Sequence, residues 1–405
     1  MAPSSRPARI ARLSSRAMGS DETVRPAAVE RSPVDRRANL MRLLCFALAV
    51  MGALLLLFAL TTFLPSRGWG FDFQAYLAAA QRLARGDPIY QQYSLDGPFR
   101  PGPYGLYLYA PPFAVATLPF TAISLQAAEI AWYLMRVGLL VVACAAMPVR
   151  PTIKCLAFAV AAITSPVLID MNLGNVSVFV TAILAFVWRG IDRPLGSVAL
   201  AIDMCVRPTL GLLLVWYALR RRWWPIVWTL ATGLVIVLLT LPIAGIDGYR
   251  DYITVLRNLS EVTGQANNLD LGSTVARLGG GSLGASLALY GGYALGLGAM
   301  LFSLRYDRET SFMVTIGATL LLAPLLWDHY LAALILPAAF LAQRGRLWGL
   351  GLPLLAWLPP EVLPLLAVAG TFVPFVARRP REDAPPPEAQ GLPTGVALPG
   401  VVPTS

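Results

Sequence analysis

Long apolar runs separated by short basic clusters constrain this chain more than any other feature. The first run is Leu43–Leu64, and others follow as far as Ala377. Hydrophobic residues make up 57% of the 405 residues, charged residues only 13%, and mean hydropathy is +0.63, which excludes a soluble globular domain. Because a span needs about 20 apolar residues, the sequence offers about ten candidate segments. We predict an all-α polytopic membrane protein with about 10–12 transmembrane or re-entrant helices.

The distribution of arginine predicts how the chain sits in the membrane. The net charge of +10 lies largely in the N-terminal tail and in clusters between apolar segments, which is typical of cytoplasmic loops and does not indicate nucleic-acid binding. Arg36, Arg37 and Arg42 place the N-terminus in the cytoplasm. We predict a disordered basic tail over residues 1–39, a transmembrane domain over residues 40–377 and a disordered Pro-rich cytoplasmic tail over residues 378–405.

The composition also argues against metal and disulfide chemistry. Each of the four cysteines lies within or beside an apolar segment, and none has metal-ligand spacing. The chain has one histidine, which excludes a His-rich metal site.

The stretch Phe71–Tyr90, just after the first apolar run, is the strongest candidate for a functional segment. Apolar residues at helical spacing predict an amphipathic helix over Asp72–Arg85, which ends at Gly86. Such a helix is expected to lie along the bilayer surface with its apolar face towards lipid. Asp72 lies in its first turn, where a carboxylate beside lipid is a candidate for chemistry; the alternative is that Asp72 only caps the helix.

Two further regions depart from regular crossings. The pieces Leu195–Val206 and Thr209–Leu219 are each about half the length of a span, so they form either a tight hairpin of short helices or a re-entrant one, with Arg207 at the far tip. Residues Gly245–Ser282 are predicted to form a second large external loop.

With this topology every basic cluster faces the cytoplasm, and a scattered set of polar residues faces outward. The set comprises Asp72, the turn Asp170–Asn175, Arg207, the loop around Asn267–Arg277, and Asp328–His329. Placing a charged group at membrane depth costs free energy, so such groups by default mark a functional site. We therefore predict that these residues converge at one membrane face.

The outward cations each have a structural alternative. Arg207 either pairs with Asp203 one turn earlier or binds an anion such as phosphate through paired N–H donors. Arg277 is either a solvated loop charge or a ligand. His329, beside Trp327, either belongs to an interfacial aromatic belt or handles phosphate or a proton.

The neutral polar residues also have two possible roles each. Asn172 and Asn175, with Gly174 between them, either cap helices or contact a ligand. A series of tyrosines either forms an aromatic belt at the membrane interface or provides aromatic walls for sugar rings. The series comprises Tyr90, Tyr93, Tyr104, Tyr107 and Tyr109.

The order of several short motifs resembles one known family. The motifs are D-F-x-x-Y from Asp72, G-D-P-x-Y from Gly86, Y-A-P-P-F from Tyr109, then L-G-N, R-P, N-N-L-D-L-G-S and A-P-L-L-W-D-H-Y. Together they resemble glycosyltransferase family 87, the polyprenol-phosphate-mannose-dependent mannosyltransferases of the GT-C superfamily. The chain departs from the family pattern at Arg207, where the family commonly has Lys, and at L-G-N and W-D-H-Y, where it commonly has G-Q-x-N and W-x-H-H.

The resemblance implies an inverting transferase of the plasma membrane. It would move a mannose-like sugar from a polyprenyl-phosphate carrier to a (glyco)lipid or glycan hydroxyl at the extracytoplasmic face. Asp72 stands in the position of the family's catalytic aspartate and is expected to act as general base. Arg207, together with Arg277 and His329, is expected to bind the donor phosphate.

The remaining expectations concern partners. The residues expected to bind substrate are Tyr76, Tyr104, Tyr109, Asn175, Asn267, Asn268, Ser273, Trp327 and Asp328. No metal and no cofactor are expected, because a lipid monophosphate donor does not require one. The partners are the lipid-linked donor, the acceptor and the bilayer, with no nucleic acid. The rival hypothesis is a transporter or flippase of a lipid-linked sugar, which would share polar intramembrane residues and broken helices.

Overall fold

The structure, a computed structural model, describes residues 33–66, 68–97, 106–260 and 268–379. Within these ranges the elements are helices and no strand is present, which confirms the predicted all-α polytopic membrane protein. Most of the two predicted tails, residues 1–32 and 380–405, lies outside the described residues, and so do Tyr104 and Asn267. Residues 33–39, predicted as part of the disordered tail, belong to the first helix. The chain divides into a short unit that ends at Met41 and a large unit that begins at Arg42.

The α-helices, in chain order, are α1 (Pro33–Phe63), α2 (Phe71–Arg85), α3 (Gln92–Leu95), α4 (Pro111–Thr117), α5 (Leu125–Ala146), α6 (Pro151–Ala162), α7 (Ser165–Leu173), α8 (Ser177–Arg189), α9 (Pro194–Val206), α10 (Leu212–Leu219), α11 (Trp223–Ser260), α12 (Leu271–Arg277), α13 (Gly281–Ser303), α14 (Arg308–Leu321), α15 (Ile335–Gln343) and α16 (Pro364–Phe372). The 3₁₀-helices are Leu118–Ala122, Pro208–Gly211, Asp328–Leu334, Leu347–Trp357 and Val373–Ala377.

Four helices of the described chain are long and apolar enough to cross a membrane: α1, α5, α11 and α13. The pair α6 and α7 is bent by 62° and makes a fifth if it is one span. Shorter apolar helices cover Ser177–Arg189, Pro194–Val206, Pro208–Leu219, Leu347–Trp357 and Pro364–Ala377. The total of 10–12 spanning or re-entrant helices and the domain boundaries therefore stay predictions.

Helix α2 occupies nearly the predicted residues, but its apolar face meets protein. It ends at Gly86, whose φ of 78° is the left-handed conformation expected at a helix C-terminus. Phe73 and Tyr76 are fully buried, and their rings lie 5.6 Å from Phe120 and 5.2 Å from Phe113. The expectation of an apolar face turned to lipid was therefore wrong, because the chain folds back and offers close-packed aromatic contacts.

The stretch predicted as an external loop, Gly245–Ser282, is helical in its first part. Gly245 has non-helical dihedral angles (φ 68°, ψ 162°), so Trp223–Ser260 consists of two helical segments that meet at a kink close to Pro242. The helical backbone is thus interrupted at the residue where the predicted loop begins, and the external position of the loop stays a prediction. Similarly, α7 extends through Asp170 to Leu173, so only Gly174 and Asn175 remain of the predicted turn.

The two half-length pieces form the predicted hairpin. Helix α9 ends at Val206, Arg207 is extended (φ −134°), and the chain returns through the 3₁₀-helix Pro208–Gly211 into α10. The Tyr217 hydroxyl near the end of α10 donates to the Ile191 carbonyl before the start of α9, at 2.6 Å. Arg207 therefore lies at the tip, away from Arg193 and Arg220.

Candidate functional site

Asp72 is the second residue of α2 and does not cap the helix. The N-cap is Gly70, in a left-handed conformation with φ 67°. The Asp72 carboxylate instead accepts a hydrogen bond from Asn175 Nδ2 at 2.7 Å, and the residue is partly accessible. The alternative in which Asp72 serves only as a cap was therefore wrong.

The turn after α7 holds Asn175 against the start of α2. The Gly70 amide donates to the Asn172 carbonyl at 2.9 Å, and Trp132 Nε1 donates to the Gly174 carbonyl at 2.8 Å. Gly174 has φ 77°, and a Cβ there would lie 2.7 Å from the Cβ of Phe73, so a larger residue would push the turn away from α2. Asn175 Oδ1 accepts from the Val176 amide at 2.7 Å, which directs its amide group towards Asp72.

The environment of Asp72 shifts its protonation into the physiological range. Burial raises the pKa of the carboxyl group to about 6, against the opposing effects of the Asn175 hydrogen bond and the Arg136 charge. A partly accessible carboxylate with such a pKa accepts a proton more readily than an ordinary surface aspartate.

Arg207 is connected to Asp72 through two side chains. Its Nη2 donates to Ser177 Oγ at 3.0 Å, and that hydroxyl lies 3.3 Å from Asn175 Oδ1. The guanidinium carbon also stands 3.6 Å from the centroid of the Tyr330 ring. Asp72, Asn175, Ser177 and Arg207 thus form one array, which we call the polar array.

The alternative pairing of Arg207 with Asp203 was wrong. Among the described residues, the Arg207 side chain bonds Ser177 and makes no hydrogen bond to the Asp203 carboxylate; only the Arg207 backbone amide bonds the Asp203 carbonyl, at 2.7 Å. Both carboxylate oxygens of Asp203 are buried without a hydrogen-bond partner in that part of the chain. The i, i+4 spacing allows the pair, but the extended backbone at Arg207 turns its side chain towards Ser177.

His329 and its neighbours approach the polar array from the 3₁₀-helix Asp328–Leu334. The His329 ring lies 5.1 Å from Tyr330 and 5.7 Å from Trp327. Burial, and secondarily the Arg207 charge, lowers the pKa of His329 to about 3, so its imidazole is neutral. Trp327 and Asp328 are partly accessible, and burial raises the pKa of Asp328.

The residues predicted from the second loop form a separate network. Asn268 donates through Nδ2 to the Pro324 carbonyl at 3.0 Å and accepts from the Leu326 amide at 2.9 Å. Arg277 donates to the Asn268 carbonyl at 2.6 Å. Ser273 bonds the Asp270 carboxylate through both its amide (2.8 Å) and its hydroxyl (2.5 Å), which caps α12. This network anchors α12 beside the segment that leads into Trp327.

Most of the described tyrosines are not a membrane belt. The hydroxyl groups of Tyr76 and Tyr109 lie 3.0 Å apart, with ring centroids 5.0 Å apart. Tyr90 and Tyr107 are likewise buried, and Tyr93 alone of the described series is substantially exposed, at 41%. The belt alternative was therefore wrong for Tyr90, Tyr107 and Tyr109, because these side chains pack inside the protein.

Sequence reasoning missed the buried ion pair under the polar array. Arg136 donates to the Asp170 carboxylate at 3.2 Å, to the Asp170 carbonyl and to the Met171 carbonyl at 3.0 Å. The other oxygen of Asp170 accepts from the Ser177 amide at 2.8 Å, at the start of α8. Glu129, also on α5, accepts from Trp69 Nε1 at 2.8 Å and from Gln74 Nε2 at 2.7 Å. Glu129 and Arg136 are charged residues within the otherwise apolar helix α5, and this sequence pattern could have indicated buried ionic contacts there.

Replacing Arg136 by leucine is expected to reduce the free energy of unfolding by about 3–5 kcal/mol, because Asp170 would remain buried without its counter-charge. The measurement is thermal or denaturant unfolding of the purified protein in detergent. The matched control is Arg250→Leu, whose ion pair with Asp247 is exposed and is worth at most about 1 kcal/mol. Equal losses in the two variants would contradict a structural role for the buried pair.

Comparison with known proteins identifies the family of the chain. The model of glycosyltransferase family 87 matches residues 107–326, more than half of the chain. No curated protein and no solved structure matches. The matched range contains Asn175, Ser177 and Arg207, whereas Asp72 and Tyr330 lie outside it and reach the polar array only through the tertiary structure.

Proposed function

The chain belongs to glycosyltransferase family 87, and from that premise we propose that it is an inverting transferase with a polyprenyl-phosphate donor. In this proposal it moves a mannose-like sugar to a (glyco)lipid or glycan hydroxyl at the extracytoplasmic face of the plasma membrane. Several helices apolar enough to span a bilayer support a lipid-anchored donor.

The observation that carries the proposal is the polar array, with a carboxylate at one end and a guanidinium at the other. An inverting transfer needs a base beside the attacking hydroxyl and positive charge beside the leaving phosphate, on opposite sides of the sugar carbon C1. Asp72 and Arg207 supply these two groups, and Asn175 with Ser177 separates them.

The proposed reaction is a single displacement. The acceptor oxygen attacks C1 while its proton passes to Asp72, and the bond between C1 and the phosphate oxygen breaks. The electron pair of that bond stays on the polyprenyl phosphate, whose growing negative charge is stabilised by Arg207. Because no covalent intermediate forms, no nucleophilic carboxylate is required.

Arg207 is well arranged for a phosphate. Its guanidinium plane is supported by the Tyr330 ring, and within the described chain its side chain donates one hydrogen bond, to Ser177. The remaining N–H groups can grip two phosphate oxygens at once. With its low pKa, His329 would contribute a neutral N–H donor instead of a positive charge. The proposed role of Arg277 at the phosphate stays a prediction, as do those of the other substrate-binding residues.

Transfer activity is expected to fall as the pH drops below about 6, because Asp72 accepts a proton only in its ionised form. Asn175→Ala removes a hydrogen bond that favours the ionised form, so it should raise the pKa and move this acidic limb up by about one pH unit. The measurement is kcat/KM across the acidic and neutral range.

The matched amide control for this prediction is Asn258→Ala, whose side chain bonds the Ser94 and Leu95 carbonyls and not Asp72. Its acidic limb should coincide with that of the unmodified protein. A limb that stays in place in Asn175→Ala would remove Asp72 as the titrating group.

The proposed function is tested directly by incubating the purified protein with polyprenyl-phosphate sugars and candidate acceptors. We expect a new glycosidic bond of inverted configuration, identified by mass spectrometry and NMR. Transport of labelled donor across vesicles without a new bond would instead support a flippase. An Asp87→Cys variant, exposed just after α2, should react with a membrane-impermeant maleimide on intact cells if the site is extracytoplasmic.

A further inference from the structure

A group of arginines lies at the end of the α9–α10 hairpin opposite to the polar array. Arg220, Arg221 and Arg222 follow α10 and lead directly into the long helix α11. The Arg220 side chain donates to the Tyr306 carbonyl at 2.8 Å. This bond joins the turn to the connection between α13 and α14, where Arg305 is exposed.

The C-terminal end of the described chain brings a further arginine to the same place. The guanidinium carbon of Arg378 stands 5.4 Å from the centroid of the Tyr306 ring, on the residue whose carbonyl bonds Arg220. Three connections of the fold thus contribute to one surface, which we call the basic patch. The basic patch comprises Arg220, Arg221, Arg222, Arg305 and Arg378. All of these except Arg220 are exposed.

The carboxylates beside the basic patch are already paired with other arginines. Asp307 and Glu309 both pair with Arg344, at 2.8 and 3.1 Å. Asp192 pairs with Arg308. Within the described chain the exposed arginines of the basic patch form no ion pair. The surface therefore keeps an excess of positive charge, which favours an anionic ligand.

Arg221 has a backbone conformation that arginine rarely adopts. Its φ is 56°, and among the described residues it is the one residue other than glycine with a positive φ. The Arg222 amide donates to the Tyr217 carbonyl at 2.9 Å, the bond that usually accompanies a glycine at the end of a helix. Glycine would adopt this conformation with less strain, and strain of this kind is concentrated at positions that contact ligands.

The residues that follow place the basic patch at the level of lipid headgroups. Trp223 and Trp224 are 62% and 74% exposed, and tryptophan is enriched at the boundary between lipid and water. From Val227 onwards α11 presents exposed apolar side chains along a helix long enough to cross a membrane. A ligand that contacts both the patch and this helix therefore has an anionic group joined to apolar chains.

We propose that the basic patch binds the phosphate headgroup of an anionic phospholipid whose acyl chains lie along α11. A guanidinium group bonds two phosphate oxygens at once, and basic surfaces between membrane helices attract anionic lipids. Phosphatidylcholine carries a choline cation that the arginines repel, so the patch selects phosphatidylglycerol over phosphatidylcholine. This inference does not depend on the proposed transferase function, because the basic patch and the polar array share no residue.

The test measures the lipid retained by the purified protein in native mass spectrometry, together with the unfolding midpoint, during titration with phosphatidylglycerol or phosphatidylcholine. Phosphatidylglycerol should be retained preferentially and should raise the midpoint. Arg221→Gly combined with Arg222→Gln should lower the affinity for phosphatidylglycerol by about 30-fold, since each arginine near an anionic lipid contributes about a fivefold factor. Because glycine suits the backbone at position 221, the midpoint measured without phosphatidylglycerol should persist in this variant.

Two further variants serve as controls. Arg221→Lys keeps the charge and should retain most of the affinity. Arg150→Gln removes an exposed arginine from the connection between α5 and α6, outside the basic patch, and should leave the affinity within about twofold of the unmodified protein.

Four results would overturn the proposal. They are equal retention of the two lipids, equal losses in the double variant and in Arg150→Gln, an effect of phosphatidylglycerol that inorganic phosphate reproduces at the same concentration, and binding that appears only after Glu382→Gln with Asp383→Asn. The last result would assign the basic patch to the acidic pair that follows it in the sequence.

Discussion

Replacing Asp72 by asparagine is expected to lower the rate of sugar transfer by about 10³-fold, within the range of about 10²–10⁴ attributed to a general base. The substitution preserves the shape of the side chain, and an amide oxygen can still accept the hydrogen bond from Asn175. The fold and the affinity for the donor should therefore persist while proton transfer is lost. The measurement is kcat at saturating donor and acceptor, with the unfolding midpoint followed in parallel.

The control for this variant is Asp87→Asn. Asp87 lies just past the other end of α2, is exposed, and pairs only with Arg85 at 2.9 Å among the described residues. Its removal should leave the transfer rate within about twofold of the unmodified protein, since exposed ion pairs contribute little. If Asp72→Asn retained more than a tenth of the original rate, another group would have to accept the proton.

Replacing Arg207 by alanine is expected to lower kcat/KM for the donor by about 10²–10³-fold, the cost of losing one preorganised donor to a developing negative charge. Arg207→Lys should recover part of this loss, because it keeps the positive charge but cannot grip two oxygens or stack on Tyr330 in the same way. The affinity for free polyprenyl phosphate, measured as product inhibition, should weaken in parallel.

Product inhibition distinguishes this role from a structural one. Arg207 also supports Ser177 and Tyr330, so its loss could lower the rate by disturbing the polar array. A purely structural role would reduce kcat without weakening inhibition by polyprenyl phosphate and would not be rescued by lysine. Arg250→Ala, at an exposed position on α11, is the matched control and should leave both quantities unchanged.

Several local features could be predicted because they depend on residues that are close in sequence. The end of α2 at Gly86 follows from the left-handed conformation that glycine adopts readily, and Arg207–Pro208 interrupts an apolar stretch whatever surrounds it. Gly245 likewise interrupts the helical backbone where the predicted loop begins, but the sequence did not indicate that the chain is helical again from there to Ser260.

The partners of the charged groups could not be predicted. Asp203 is the nearest carboxylate to Arg207 in sequence, yet Arg207 bonds Ser177 and stacks on Tyr330, residues 30 and 123 positions away. The choice depends on the backbone direction at the tip of the hairpin and on which helices arrive there. The partner of Arg136 could not be predicted for the same reason, because only the folded chain brings α7, with the Asp170 carboxylate, next to it.

The sequence by itself determined the class of this protein, since the cost of leaving so many apolar residues in water is a sum over the chain that needs no knowledge of contacts. Tertiary structure alone decided that Asp72 meets Asn175 and not the helix end, and that the apolar face of α2 packs against aromatic rings and not lipid. Those outcomes depend on distances between residues far apart in sequence, and short-range hydrogen bonds and packing forces act only once the fold has brought them together.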